Sequence, residues 1–595
     1  MFRAITATTC AIAVGCGDPE EPPPDDACRF ATEADAVTPG PLSTPRWAFR
    51  PWIAKDISNA DDTRAFVEGF RARDIPVGAV ILDSPWATHY NTFVVNDARY
   101  PDFPGLLDEL HAQDIRVVLW TTQMVNRTGL DFETGGDTYE GPAPHYEEGK
   151  RCGFFVDDGA DYLWWKGLGA GVDFFDPEAV AWWHRQQDAL LDLGVDGWKL
   201  DFGDQYLPDT LSSDAGVIDR QLYSEAYYAD MLAYGRSRRG DDFVTMVRPY
   251  DQSYQFEGRF YARPEHAPVG WVGDQRRDWI GLEDAMDHIF RSAAAGYVVL
   301  GSDVGGYLDR DDVELTGPQI PFDTLVFARW TAVGALSPWM QLMGRANIAP
   351  WTVPDHVDET VALYRYWATL HDELVPWWYS LATTAQRAPL GTQTIIKPLG
   401  TPATWAGDYR YLLGDAFLVA PILDATGVRD VELPAGRWYD WWSGDAIEGG
   451  RTLTDVAVPE RERIPLYVRE GAILVANVAS SVTGLGTAAR NDALTVLAWP
   501  GVTASTFTLI DEDDAATAIT ASAASIELSR ALRPTYVRVP RDAAPASVTL
   551  GSTMLSTIAD DAALDAATSG WVHADGWLTI KVPASTSTVR LAIGS

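Results

Sequence analysis

Cysteine and histidine are scarce. Four cysteines and nine histidines in 595 residues leave little for metal chemistry, and no CxxC, HExxH or paired-histidine spacing occurs, so the common zinc sites are excluded. Basic residues are outnumbered, 46 against 84 acidic, for a formal net charge of −38. Such a surface repels phosphate, which argues against nucleic acid as a partner. The acidity itself implies only a well-solvated surface suited to an acidic or salty habitat. No apolar run is long enough to cross a membrane as a helix. There is no GxSxG elbow and no Walker loop. "GLGTAA" at 484 imitates a dinucleotide loop, but it sits in a β-rich linker.

What is present is carboxylates and aromatic rings. Tryptophan reaches 24 residues; indoles fill cores, and their flat faces also stack on sugar rings. Hydrophobic content of 46% with 22% charged residues describes a soluble globular protein, and the length is enough for several domains.

The amino terminus carries Arg3, then "AITATTCAIAVGC", a short run ending in small residues. It is too short to span a membrane and is similar to a bacterial lipoprotein signal with "AVGC" as lipobox, over residues 1–16. The expectation is export, with a lipid anchor at Cys16 as the sole membrane contact; an ordinary signal peptide is the alternative. Residues 17–45, opening "GDPEEPPPDDACRF", are Pro- and acid-rich and read as a tether. Cleavage would leave Cys28 and Cys152, which an oxidising compartment permits to pair but which equally suit two free thiols.

From residue 46 to about 385, apolar strands alternate with amphipathic helices. Eight segments read as strands: "RWAFRPWIA", "PVGAVILDSPW", "IRVVLWTTQMVN", "VDGWKLDFGD", "FVTMVRPYD", "VGWVGDQ", "GYVVLGSDVGGY" and "GALSPWMQLMG". Their apolar runs lack alternation, as in parallel strands buried on both faces. The fold expected is α/β, a (β/α)8 TIM barrel, followed by two all-β sandwich domains over 386–480 and 481–595. A doubly wound sheet would normally need far fewer strands, and no Gly-rich phosphate loop follows the first one. The predicted strands end in polar residues: Asp83, Asn126, Asp201, Arg248, Asp274, Asp303 and Gln341. A single strand-end aspartate is usually a helix cap, but four at one end of a barrel mark a site. With neither a metal nor a cofactor motif present, carboxylates among aromatics fit glycoside hydrolysis, and a carbohydrate is the expected substrate.

Several of these segments resemble glycoside hydrolase family 31, the retaining α-glycosidases. "GWKLDFGD" is similar to the family's nucleophile segment and "GWVGDQRRDW" to its acid/base segment. "GSDVGGY" and "RWTAVGALSPWMQ" resemble its strand-seven and strand-eight motifs. "LLGDAFLVAPIL", "LPAGRWYDWWSG" and "RIPLYVREGAIL" resemble the β-domain after the barrel. The resemblance implies Asp201 as nucleophile, kept ionised by Lys199 and Arg248, and Asp274 as acid/base against Trp271 and Trp279, with Asp278 as the fallback acid. Asp83 and Asp303 would bind sugar hydroxyls. Trp86, Trp198 and Tyr307 would line the ring pocket, although core packing explains each of these three as well. It further implies an exo-acting hydrolase; an α-transglycosylase or a catalytically silent sugar-binding lipoprotein are the alternatives.

Departures from the family pattern are specific. The β-sandwich that usually precedes the barrel, and lends a loop to the site, has no counterpart before Arg46. Gly203-Asp204 stands where Gly-Glu is common, and Met343 where the α-glucosidases carry a sugar-binding histidine. No counterpart of the sulfonate-binding segment of sulfoquinovosidases is present, and "SPWMQ" followed by "APW" is similar to the α-galactosidase-like branch.

Overall fold

The computed structural model describes residues 26–311 and 317–594. The expected signal segment with Cys16 lies outside the described residues. The part of the expected tether that is described, from residue 26, does not hang free. Cys28 is disulfide-bonded to Cys152, with Cα atoms 5.4 Å apart. Ala31 donates its N–H to Glu178 at 2.6 Å, Arg185 pairs with Asp35, and Thr44 donates to the carbonyl of Pro268. Composition describes this stretch as loop, and long-range polar contacts then hold it against the barrel.

Eight strands form one parallel sheet: β1 (Trp52–Lys55), β2 (Ala79–Leu82), β3 (Arg116–Thr121), β4 (Gly197–Leu200), β5 (Val244–Val247), β6 (Val269–Trp271), β7 (Leu300–Gly301) and β8 (Gln341–Leu342). β1 pairs with both β2 and β8, and a parallel bridge between Asp303 and Gln341 joins β7 to β8, so the barrel closes. Each strand falls within a segment expected from its apolar run, except that β1 runs one residue past its segment to Lys55. Helices cover the outside, among them α1 (Ala60–Arg71), α2 (Phe103–His111), α3 (Pro177–Leu193), α4 (Arg220–Arg239), α5 (Trp279–Ala294) and α6 (Thr324–Ala335). Their starts are capped as their sequences imply: Asn59, Asp102, Asp176, Asp219, Asp278 and Asp323 each accept a backbone N–H of the first turn, satisfying donors that a helix start leaves free.

Between β3 and α3 the chain leaves the barrel and builds a four-stranded antiparallel sheet from Met124–Leu130, Thr138–Tyr139, Tyr162–Trp164 and Gly167–Gly171. Its strands 124–130 and 167–171 shift register between Asn126 and Thr128. Gly167 at that irregularity has φ +128, and a Cβ there would lie 2.0 Å from the Thr128 carbonyl oxygen, so only glycine fits. This excursion stands over the mouth of the barrel.

Two further helices, α7 (Val357–Glu373) and α8 (Val375–Arg387), lead into the β-rich remainder. A six-stranded sheet and a two-stranded ribbon come first, then a five-stranded and a six-stranded sheet around a shared apolar core. Strand Ile473–Ala476, assigned by sequence to the first β-domain, pairs with Leu494–Ala498 in the five-stranded sheet of the second. Leu474 and Ala476 of this strand pack into the core that continues from the barrel, while Ile473 and Val475 pack into the core of the last two sheets, so the strand serves both.

Candidate active site

β4 sets the geometry. Side chains alternate along a strand, so Lys199 projects into the barrel while Trp198 and Leu200 face outward. Trp198 is fully buried against Phe93 and Phe243; the expected sugar contact is corrected to core packing by strand parity. Asp201 follows, its backbone N–H bonded to the Thr121 carbonyl of β3 at 2.9 Å. Its carboxylate accepts from the Trp120 indole N–H (2.9 Å), the Phe202 N–H (2.8 Å) and Arg248 (2.9 Å). Burial pushes this carboxyl up, but Arg248, Lys199 and these donors outweigh it and hold it below the usual range.

Arg248, at the end of β5, is completely buried and serves three carboxylates: Asp201, Asp251 and Asp274. Its guanidinium lies between the rings of Phe202 (3.7 Å) and Trp271 (4.1 Å). Nη2 sits 2.9 Å from Asp201 Oδ1 and 2.9 Å from Asp274 Oδ2. These two oxygens are thus no further apart than twice that length. Asp274 Oδ1 takes no part in this pairing. Burial, with Asp201 and Asp251 nearby, raises the Asp274 carboxyl despite the opposing pull of Arg248. One aspartate is pushed down and its neighbour up. That split suits a nucleophile beside an acid.

The Asp274 backbone is held by a closed circuit. Its N–H donates to Ser253 Oγ (2.6 Å), Ser253 donates to Asp251 (2.6 Å), and Asp251 binds Arg248. Gly273, at φ +99, lets Asp251 approach: a Cβ there would lie 2.1 Å from its Oδ1. Asp251 was missed as a site residue, although it ends the predicted fifth strand in "RPYD".

The other expected residues divide. Lys199 Nζ binds Asp83 Oδ2 (3.1 Å) and Met343 Sδ (3.1 Å), so Met343, in place of a histidine, reaches the site's lysine. Asp83, Lys199, Asp201, Asp274 and Tyr307 all line one cavity of about 480 Å³. Asp303 does not line it. It is fully buried, accepts from Gln341 Nε2 at 2.5 Å, and burial pushes it up to about 7. Its place is the seam that closes the barrel, below the cavity. Trp86 is also core: the turn after Asp83 folds it under β3, where its indole donates to the Trp120 carbonyl at 2.7 Å. Trp271 contacts the Lys199 and Arg248 cations instead of the cavity, and Trp279 opens α5 away from it. Asp278 caps α5 and pairs with Arg276, which also binds Asp311, while Arg277 donates to the Ile320 carbonyl. Neither arginine contacts Asp274. Asp204, in place of the common glutamate, is buried and paired with Arg259.

The cavity's second side comes from the excursion, which supplies Phe132, Glu133, Leu163, Trp164, Trp165 and Lys166. Lys166 is buried and bound by Asp131 (2.8 Å) and Glu133 (2.5 Å). Glu133 also accepts from the Tyr307 hydroxyl at 2.9 Å, and burial notwithstanding it is held below its ordinary range by Lys166. Trp164 lies parallel to Trp120, and its indole N–H donates to Asn126 at 2.7 Å. A usable signal existed: residues 122–176 separate a barrel strand from its helix, far beyond an ordinary βα loop, and loops of that length usually carry function.

Residues 41–381 match the family model described as the glycosyl hydrolases family 31 TIM-barrel domain, and residues 392–474 match that family's C-terminal domain. The chain belongs to glycoside hydrolase family 31. Among curated family 31 proteins, a 1,3-alpha-isomaltosidase of Kribbella flavida is 28% identical over 476 residues, covering 71% of this chain and 60% of that protein. An alpha-xylosidase of Emericella nidulans is 24% identical over 461 residues, covering 74% and 54%. The chain thus spans little more than half the length of these relatives. Among solved structures, the cycloalternan-forming enzyme of Listeria monocytogenes superposes with a TM-score of 0.79 at 20% identity, covering 93% of this chain and 55% of that one. A dextranase of Flavobacterium johnsoniae gives 0.76 at 18% identity, covering 93% and 71%. These two likenesses speak for the family 31 fold.

Proposed function

We propose that the protein is a retaining, exo-acting α-glycoside hydrolase that removes a terminal, uncharged α-linked sugar. The observation that carries this reading is the single Arg248 nitrogen shared by Asp201 and Asp274. The two oxygens that share it lie within twice 2.9 Å of each other, short of the roughly 6.5–9.5 Å that an inverting enzyme needs for its water, which supports the closer carboxyl pair of a retaining one.

In the first step Asp201 attacks the anomeric carbon while Asp274 gives its proton to the departing glycosidic oxygen. The C1–O bond breaks and a C1–carboxylate bond forms. In the second step Asp274, now ionised, takes a proton from water, whose oxygen attacks the same carbon and releases Asp201. Asp83, Glu133 and Lys199 are placed to bind ring hydroxyls. The two cations lining the cavity, Lys166 and Lys199, are already paired with carboxylates, which supports an uncharged sugar over an anionic one. The excursion lines one side of the cavity, which supports a pocket for one terminal unit.

Transglycosylation is the second reading, because an isomaltosyltransferase of Sporosarcina globispora is 22% identical over 591 residues and a sugar in place of water would use the same groups. A silent sugar binder has no use for one aspartate held low beside another held high.

The test is a panel of aryl α-glycosides (glucoside, xyloside, galactoside) with wild type and Asp201→Ala. One glycoside should turn over, and the variant should lose at least about 1,000-fold, some 4 kcal/mol of barrier. Residual activity above about 1% of wild type would remove Asp201 from the nucleophile's role.

A further inference from the structure

A second, larger concavity of about 1030 Å³ lies between α7 and the two β-domains and shares no lining residue with the catalytic cavity. Its aromatic residues are contiguous. Trp442 lies 5.9 Å from Tyr366, whose hydroxyl accepts the Trp441 indole N–H at 3.0 Å. Trp441 is 6.3 Å from Trp499, and Trp499 is 5.7 Å from Trp577. The strip thus runs from a barrel helix across the first β-domain to the last strands of the second.

These rings are held in place before any ligand arrives. Trp441 and Trp442 have their indole N–H groups committed to Tyr366 and to the Ile464 carbonyl, and the Arg538 guanidinium sits 4.7 Å from the Trp577 ring centre. Preorganised aromatic faces reduce the ordering cost of binding. Trp441, Trp442, Tyr366 and Trp577 remain only half-buried, so the strip is not sealed as core. Around it, Arg437, Asp542 and Asp575 are exposed and charged and line the cleft without an ion pair or a side-chain hydrogen bond among the described residues, Arg437 resting over the Tyr439 ring. Four arginines and six carboxylates face this space, so both signs of charge edge the rings. Aromatic platforms edged by unpaired donors and acceptors of both signs suit a ligand that is apolar on its ring faces and rich in hydroxyls at its edges.

We propose that this cleft is a second carbohydrate-binding site, which takes an uncharged oligosaccharide of several sugar units and acts independently of the catalytic pocket. A chain held here would keep a polymer near the barrel while its end is processed.

The experiment is calorimetric titration of the full-length Asp201→Ala protein with maltoheptaose and with isomaltoheptaose. The expected result is two binding sites for at least one of them. Adding Trp577→Ala should weaken one site at least tenfold and leave the other unchanged. Should that variant fail to fold, Arg437→Ala combined with Asp575→Ala removes exposed edge groups alone and should weaken the same site. One site or none for both sugars, or two sites that neither variant alters, would overturn the proposal.

Discussion

The catalytic cavity has two sides of different origin. The floor is made of strand ends: Asp83, Lys199, Arg248, Asp201 and Asp274 stand on β2, β4, β5 and β6 or one to three residues beyond them. The wall is made of an insertion, where Glu133, Trp164, Trp165 and Lys166 are placed by a small antiparallel sheet. Floor residues are positioned by a closed barrel whose register cannot slip without turning every side chain over. Wall residues are positioned by their own salt bridges and ring contacts, above all the buried Lys166–Asp131–Glu133 cluster. A rigid scaffold suits chemistry that fails over a fraction of an ångström, and a separately folded insertion can set the shape of the pocket without disturbing that chemistry.

Substitutions can sharpen this contrast. On the floor, Asp274→Ala should cut turnover of substrates with poor leaving groups by about 100-fold or more, while good aryl leaving groups lose much less in the first step. Because burial and Asp201 raise the Asp274 carboxyl, the wild-type rate should fall on the alkaline side as this group gives up its proton, and the variant should lack that limb. It should fall on the acid side only well into the carboxylate range, where Asp201, held low, takes one up. Equal losses on both leaving groups with the alkaline limb intact would remove Asp274 from the acid's role.

On the wall, Glu133→Gln keeps the shape and leaves Lys166 its bond to Asp131. The expected effect is a rise in KM of about tenfold, near 1.4 kcal/mol, with kcat changed about twofold or less. A comparable fall in kcat would mean that the wall takes part in the chemistry, and the contrast would break.

The smallest effect belongs beneath the floor. Asp303 is held at about 7 by burial, so the folded protein retains a proton that the unfolded chain releases near its ordinary 3.8. Stability contributed by this group is therefore lost as pH rises from about 4 through 7. Asp303→Asn keeps an acceptor for Gln341 and cannot ionise. Its melting temperature relative to wild type should improve by a few degrees between pH 5 and pH 8; a difference that does not change with pH would show that Asp303 is not protonated in the fold.

Legibility in the sequence followed the same division. Unbroken apolar runs mark all eight strands, and polar residues at their ends mark the mouth, because a barrel places both by backbone periodicity alone. Asp201 and Asp274 stand in extended motifs, and Arg248 ends a recognisable strand. Aromatics were harder to place. Trp198 and Trp86 have the same local composition as pocket residues, and only strand parity and the turn after Asp83 send them into the core. Asp303 reads as a sugar ligand until its pairing with Gln341 is seen. The wall was not legible as chemistry: its residues lie in a span without barrel periodicity, and only the length of residues 122–176 signals that something is built there. The pairing of Cys28 with Cys152 joins positions 124 apart in sequence and depends on three-dimensional proximity.

The central claim is that two aspartates bridged by Arg248 act by double displacement. Proton NMR of the first sugar released from a good aryl α-glycoside, read before the anomers equilibrate, tests this directly. Release of the α-anomer first is the predicted result. Release of the β-anomer first would mean a single displacement by water, and the assignment of Asp201 as nucleophile would be contradicted.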